Sequence, residues 1–197
     1  MPQTISRAEA WDLLTDWVSS ESLRRHCLAV EAAMRAYAGK LGGDEELWGV
    51  TGLLHDADYE RFGDMDDTAR GHPRSIMAHL ESVDAPPEMV RAIASHADYL
   101  HVSRDSDMEK ALYAVDELSG FLVACAHVRP DGLVGMTPKS VKKKLKTPAF
   151  AAAVNRDDVR KGAEELGVDF DEHVAFVIAA LEARRDELGL TGTSTSA

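Results

Sequence analysis

Between Glu21 and Leu41 the apolar residues Leu23, Cys27, Val30, Met34, Tyr37 and Leu41 fall alternately four and three positions apart. That spacing puts all six on one stripe of a helix with 3.6 residues per turn. It has no counterpart in a strand, whose faces repeat every second residue. The Gly42-Gly43 pair that follows is a helix stop, since glycine takes the left-handed turn that closes a last helical turn. An amphipathic helix of this length constrains the whole fold, because its stripe must be covered by apolar faces from elsewhere in the chain.

The remaining segments supply those faces. Ser6 with Glu9 makes a capping box ahead of AEAWDLLTDWV, and Asp44 caps EELWGVTGLLHD. A helix is expected to start near His72-Pro73, and Pro86-Pro87 opens EMVRAIASHA, because proline is tolerated in a first turn. A long helix runs from about Asp107 through ALYAVDELSGFLVACAHV to the break at Arg129-Pro130-Asp131-Gly132. Thr137-Pro138 begins a short basic helix, Asn155 starts another, and 169–188 forms a last long one. The stretch 57–71, polar and carrying Asp64, Asp66 and Asp67, reads as a loop. No segment keeps a period of two for long. The expectation is therefore an all-α, single-domain helical bundle of roughly eight to ten helices. It spans 1–188, with the helices of 138–188 packed on the rest, and ends in a flexible tail at 189–197, too small and polar to pack.

Charge and cysteine usage narrow the function classes. The formal net charge is −12, which argues against broad binding to nucleic acids or anionic membranes, whose partners need a positive face. One local exception is KSVKKKLK at 139–146. It reads either as the solvated face of a short helix or as a basic rim that attracts an anionic substrate. Cys27 and Cys125 each sit in an apolar helical pattern and read as small buried hydrophobes in a reducing compartment. No run of 18 apolar residues occurs, and the N-terminal MPQTISRAEAWDLL lacks the apolar stretch of a signal peptide. A cytoplasmic protein with no membrane partner is expected.

The chemistry is concentrated in a few polar residues on otherwise apolar elements. The run LLHDADYE ends an apolar helix in adjacent His55-Asp56, with Asp58 and Glu60 behind. His26 sits beside the apolar stripe of its own helix. Asp116 lies in mid-helix, sharing a face with Leu112, Ser119 and Val123. An unpaired buried charge costs several kcal/mol or more, so carboxylates in such places need a cation or strong donors. A divalent metal meets that need for Asp56 and Asp116 together, with neutral imidazoles completing the shell.

His26, then His55-Asp56, then Asp116, in that order and each near a helix core, resembles the H…HD…D pattern of the HD-domain superfamily of metal-dependent phosphohydrolases. The text around them, LRRHCLAVEAAM, GLLHDADYE and ALYAVDELSG, carries the resemblance over roughly residues 20–130. It is to the predicted-hydrolase branch. The cyclic-dinucleotide branch carries an adjacent histidine pair and a GYP signature, whereas here His96 is followed by Ala97-Asp98-Tyr99 and GYP is absent. The resemblance implies that His26, His55, Asp56 and Asp116 hold one metal. By the same likeness, His72 and His96 meet a second metal or a substrate phosphate, with Asp56 bridging. The implied cofactor is one or two divalent transition metal ions, Mn, Fe, Ni, Co or Zn, which mixed imidazole and carboxylate ligands suit better than Ca. The implied reaction is hydrolysis of a small anionic phosphate ester, such as a nucleotide, by a metal-activated water. Asp58 is a candidate partner of that site or proton acceptor, and Arg25, Arg74 and Lys142 are candidate cations for the phosphoryl oxygens. Two other readings are open: a bundle of this kind holding two irons and activating oxygen, or a non-catalytic, metal-stabilised bundle that binds a ligand or partner.

Overall fold

The computed structural model describes residues 4–192, and among these the chain is helical throughout with no strand. The elements are α1 (Arg7–Trp17), α2 (Glu21–Leu41), α3 (Glu45–Leu54), α4 (Tyr59–Phe62), α5 (Arg74–Ser82), α6 (Pro87–His96), α7 (Asp107–His127), α8 (Pro138–Leu145), α9 (Arg156–Leu166) and α10 (Phe170–Ala183). A 3-10 turn at Asp98–Leu100 follows α6. No helix among the described residues is long and apolar enough to cross a membrane.

The described chain divides into two compact units, one ending at Leu112 and the other starting at Tyr113, so the division falls within α7. In the first unit α3 packs along α2 and also meets α1 and α6, while α5 packs on α6. Fully buried Leu14, Met34, Tyr37, Leu53, Ile76 and Ile93 form its interior. Each such side chain contributes about 1.5–3 kcal/mol of transfer free energy. In the second unit α8 and α9 pack on α10. Leu118, Phe121, Val174, Val177 and Leu181 are among its fully buried residues along α7 and α10.

The helix ends follow the local chemistry read from the sequence. Ser6 and Glu9 make both hydrogen bonds of a capping box, and the Asp44 carboxylate accepts from the Glu46 and Leu47 N–H groups. Gly42 closes α2 with φ 76°, the left-handed conformation that a side chain disfavours. Asn155 and Thr137 cap α9 and α8.

Two boundaries differ from the sequence reading. A single helical turn, α4, interrupts the 57–71 stretch that composition marks as a loop. It is held by its neighbours: the Glu60 carboxylate accepts from the Ser19 and Ser20 N–H groups, 41 and 40 residues away. The last helix ends at Ala183 rather than near 188, and turns carry the chain onward to Leu190. Leu190 is 2% exposed and its carbonyl accepts from the Leu133 N–H, 3.2 Å away, so the chain is packed up to that residue. The rest of the expected tail, 193–197, lies outside the described residues.

One close approach decides where the site forms. A Cβ on Gly52 of α3 would lie 2.9 Å from the Met34 Cγ and 3.1 Å from the Val30 carbonyl oxygen of α2. The bare glycine lets the two helices touch at that level, within a turn of His55 on α3 and of Val30, which is itself one turn from His26.

Candidate metal centre

The first unit gathers four histidines around one carboxylate. His26 comes from α2, His55 and Asp56 from the end of α3, His72 from the segment leading into α5, and His96 from the last turn of α6. Two groups form, His26–His55–Asp56 and Asp56–His72–His96, within each of which the donor atoms lie within 4.8 Å of one another. Asp56 belongs to both. Its Oδ1 is 3.3 Å from the His72 Nε2 and 3.6 Å from the Nε2 atoms of His55 and His96. Its Oδ2 is 3.6 Å from the His26 Nε2.

What turns these rings inward is the atom each uses on its far side. The His55 Nδ1 is 2.8 Å from the Gly52 carbonyl oxygen, and the His96 Nδ1 is 2.5 Å from the Ile93 carbonyl oxygen. A carbonyl has no proton to give, so Nδ1 carries the hydrogen in both rings, which in a neutral imidazole leaves the lone pair on Nε2. Each carbonyl lies three residues back, at a helix C-terminus where the last carbonyls lack helical partners. The third ring follows the same rule with a stronger acceptor. The His72 Nδ1 donates to the Asp58 Oδ1 at 2.6 Å, and the Ile76 N–H donates to the other oxygen of Asp58 at 3.0 Å. Three imidazoles thus direct their Nε2 atoms at one carboxylate.

This donor set fits a divalent transition metal. The His26 and His55 Nε2 atoms stand 3.2 Å apart. Neighbouring donors that share an ion at a bond length of about 2.0–2.1 Å are separated by about 3.0–3.4 Å. Neutral imidazole nitrogens with carboxylate oxygen are the ligand types that Zn, Fe, Mn, Co and Ni accept. His55 and Asp58 are 0% exposed, and the Asp56 carboxylate retains limited access to solvent. The cluster is thus closed behind His55 and Asp58 and reaches solvent on the side of Asp56 and His26.

The other residues singled out in the sequence fall as follows. Asp58, expected as a site or proton-accepting residue, stands behind His72 with both oxygens engaged and no solvent contact. Arg25 is half-buried on α2, one residue before His26. Asp116 is a half-buried residue of α7 that belongs to the second unit. Lys142 also belongs to the second unit, where its Nζ lies 2.6 Å from the Asp171 carboxylate. Arg74 lies over the Tyr99 ring, 5.9 Å from its centroid, and its Nη1 is buried without a hydrogen-bond partner among the described residues.

The sequence reading passed over two tyrosines beside His72. Tyr59, 42% exposed, meets the His72 ring edge-on at 5.1 Å. Tyr99, 36% exposed, donates its hydroxyl hydrogen to the His72 carbonyl. Burial lifts the Tyr99 phenol to about 12, with Arg74 pulling it down and Asp58, Asp56 and Tyr59 adding to the rise. The available signal was spacing: Tyr59 is four residues past His55, and Tyr99 three past His96. Of the remaining histidines, His79 packs against Trp17, and the His173 Nε2 lies 3.0 Å from the Ala114 carbonyl inside the second unit.

The family model for the HD domain matches residues 23–120, a span that holds His26, His55, Asp56, His72, His96 and Asp116. Comparison with curated proteins and with solved structures gives no match. The ordered ligand-type residues, the helical fold and the matched span agree, and over residues 23–120 this chain belongs to the HD-domain family.

Proposed function

We propose that the protein is a cytoplasmic, metal-dependent phosphohydrolase acting on a small phosphate ester, a nucleotide or related phosphomonoester or diester. The observation that carries the reading is the set of three imidazoles whose Nδ1 atoms are tied to acceptors, so that their Nε2 atoms face Asp56. An HD domain belongs to a superfamily generally of this chemistry, and the donor set suits one or two divalent transition metal ions. Bound there, such an ion supplies a water of lowered pKa and a Lewis-acid contact for a phosphoryl oxygen.

The chain's own residues do the rest. His26 and His55 serve one position and His72 and His96 the other, with the Asp56 carboxylate common to both. Asp116 enters this set through the sequence pattern. Asp58 holds the His72 ring in the orientation that points its Nε2 at Asp56. It acts through His72, since neither of its oxygens is open to a substrate proton. Arg74 is the cation assigned to the phosphoryl oxygens, because one of its nitrogens has no acceptor, and Arg25 is its alternate. Lys142 is left out of that role, as Asp171 already matches its charge. The half-exposed rings of Tyr59 and Tyr99 supply aromatic surface for the base of a nucleotide.

The test is elemental analysis of protein purified without added metal, followed by a panel of phosphomonoesters and phosphodiesters assayed with the metal found. Turnover that disappears on chelation and in Asp56→Ala is the expected result. Absence of hydrolysis across the panel, with metal bound, removes the reaction class. Oxygen consumption by an iron-loaded sample replaces it with oxidation.

A further inference from the structure

The basic segment of α8 has a second face that the proposed function does not use. Lys142 is paired with Asp171, and Val141 and Leu145 are buried. Ser140, Lys143 and Lys144 fall at i, i+3 and i+4, which is one side of the helix, and Thr147 follows two residues past its end. They line a cavity of about 350 Å³ in the second unit, whose other walls are Cys125, Arg129 and Met136. Three cations and no carboxylate therefore border this space, in a chain whose net charge is −12.

Two of the three cations are held in place, and none is neutralised by an ion pair among the described residues. The Arg129 Nε and Nη2 donate to the Gly132 and Val134 carbonyl oxygens, each at 2.8 Å. Those bonds fix the guanidinium plane and leave Nη1 without a hydrogen-bond partner among the described residues. The Lys144 Nζ sits over the Phe150 ring, 4.5 Å from its centroid, a contact that orients an ammonium without cancelling its charge. Lys143 has no ion-pair partner among the described residues. The C-terminal end of a helix favours lysines in its last turn. That accounts for Lys143 and Lys144 but not for Arg129, which reaches the same cavity from the chain after α7. Burial pushes the Cys125 thiol up to about 11, while Lys144 and Arg129 both pull against it, so both charges are felt at the cavity wall.

We propose that this cavity is an anion site of the second unit for a small ligand carrying two or more linked phosphoryl groups. Arg129 offers its free edge to one phosphoryl group, and the Lys143 and Lys144 ammonium groups offer point charges to the next. The Thr147 hydroxyl is a neutral donor at the rim. The proposal is independent of the histidine cluster.

The test is calorimetric titration of the full-length protein with inorganic pyrophosphate, with orthophosphate, adenosine diphosphate and a short single-stranded RNA as parallel arms. Each titration is repeated after dialysis against EDTA, which removes any contribution from metal at the histidine cluster. Binding of pyrophosphate that survives EDTA, exceeds that of orthophosphate and weakens about tenfold or more in Lys143→Ala/Lys144→Ala is the expected result. Lys139→Ala, an exposed lysine of the same helix outside the cavity, changes it by less than about twofold. An adenosine diphosphate affinity equal to or above that of pyrophosphate supports the site and separates a nucleotide from a free oligophosphate. Equal binding by the wild-type and double-variant proteins overturns the proposal. So does binding of RNA alone, with no response to pyrophosphate. Both lysines are exposed, so their removal leaves the fold intact, which unchanged thermal melting verifies.

Discussion

The Nδ1 of His72 and the Oδ1 of Asp58 lie 2.6 Å apart in a place that water does not reach. A carboxylate buried this fully needs donors, and it has two: the imidazole and the Ile76 N–H. In return it holds the ring so that Nε2 points at Asp56, 3.3 Å away. Replacing Asp58 with asparagine keeps the volume but removes the charge and sets an amide against two donors. Metal affinity or activity is expected to fall about 10–100-fold, the usual cost of losing such a supporting carboxylate. Competition with a chromogenic chelator measures it, and an unchanged affinity would show that His72 is not a ligand.

Asp56 stands in both donor groups, so its removal acts on both at once. A metal that binds only the folded state stabilises it by about 2.7 kcal/mol when free metal is a hundredfold above Kd. Adding the native metal is expected to raise the melting temperature of wild-type protein and to leave that of Asp56→Ala where it was. Calorimetric scans with and without metal read the difference. A full metal-dependent rise in the variant would place the ion elsewhere.

Gly52 sets the spacing of α2 and α3. A methyl group there meets the Val30 carbonyl oxygen at 3.1 Å, which is backbone and does not yield easily, as well as the Met34 side chain. Gly52→Ala is expected to lower stability by about 1–3 kcal/mol through overpacking, despite alanine's higher helix propensity. The urea midpoint reports it. A stabilised variant would mean that the helices part without cost.

Glu46 carries a pH-dependent share of the stability. The hydrogen bond from the Arg35 side chain, with further help from Arg7, holds its carboxyl below the usual glutamate range even though burial opposes this. A carboxyl depressed in the folded state stabilises above its unfolded pKa of about 4.3 and loses that contribution as pH falls through the lower folded value. Glu46→Gln is expected to lose stability near pH 6 and to approach the wild type at pH 3. Denaturation midpoints across that interval check the sign. An equal loss at both ends would show that packing, not charge, is involved.

Asp116 ties metal binding to turnover in the proposed function. It is proposed as a ligand from the order of residues in the HD pattern alone, and it is half-buried on α7. Asp116→Ala is expected to lose bound metal and hydrolysis together, read by elemental analysis of the same sample that is assayed. A variant that keeps its metal and its turnover would remove Asp116 from the ligand set.

Much of this was legible because it is local. The stripe from Leu23 to Leu41 fixed α2 to the residue, and Ser6, Asp44 and Asn155 marked helix starts by a single side-chain oxygen each. The four ligand-type residues of the HD pattern were readable for a related reason: polar groups on apolar helix faces stand out against the periodicity. The turn at Tyr59–Phe62 was not readable, because the contacts that hold it come from Ser19 and Ser20, far away in the chain. The sequence left Asp58 open between a partner of the site and a proton acceptor, since a loop carboxylate and a buried one look alike in sequence.

The amino-acid order alone determined where most helices start and that His26, His55 and Asp116 stand on or beside apolar helix faces, because capping and periodicity act within one or two turns. Only the tertiary structure decided that His26, His55, His72 and His96 meet at one carboxylate, and that carbonyls and Asp58 on their far sides set which nitrogen faces it. Ring orientation depends on hydrogen bonds and on the close approach at Gly52, and those exist only once separate helices are packed.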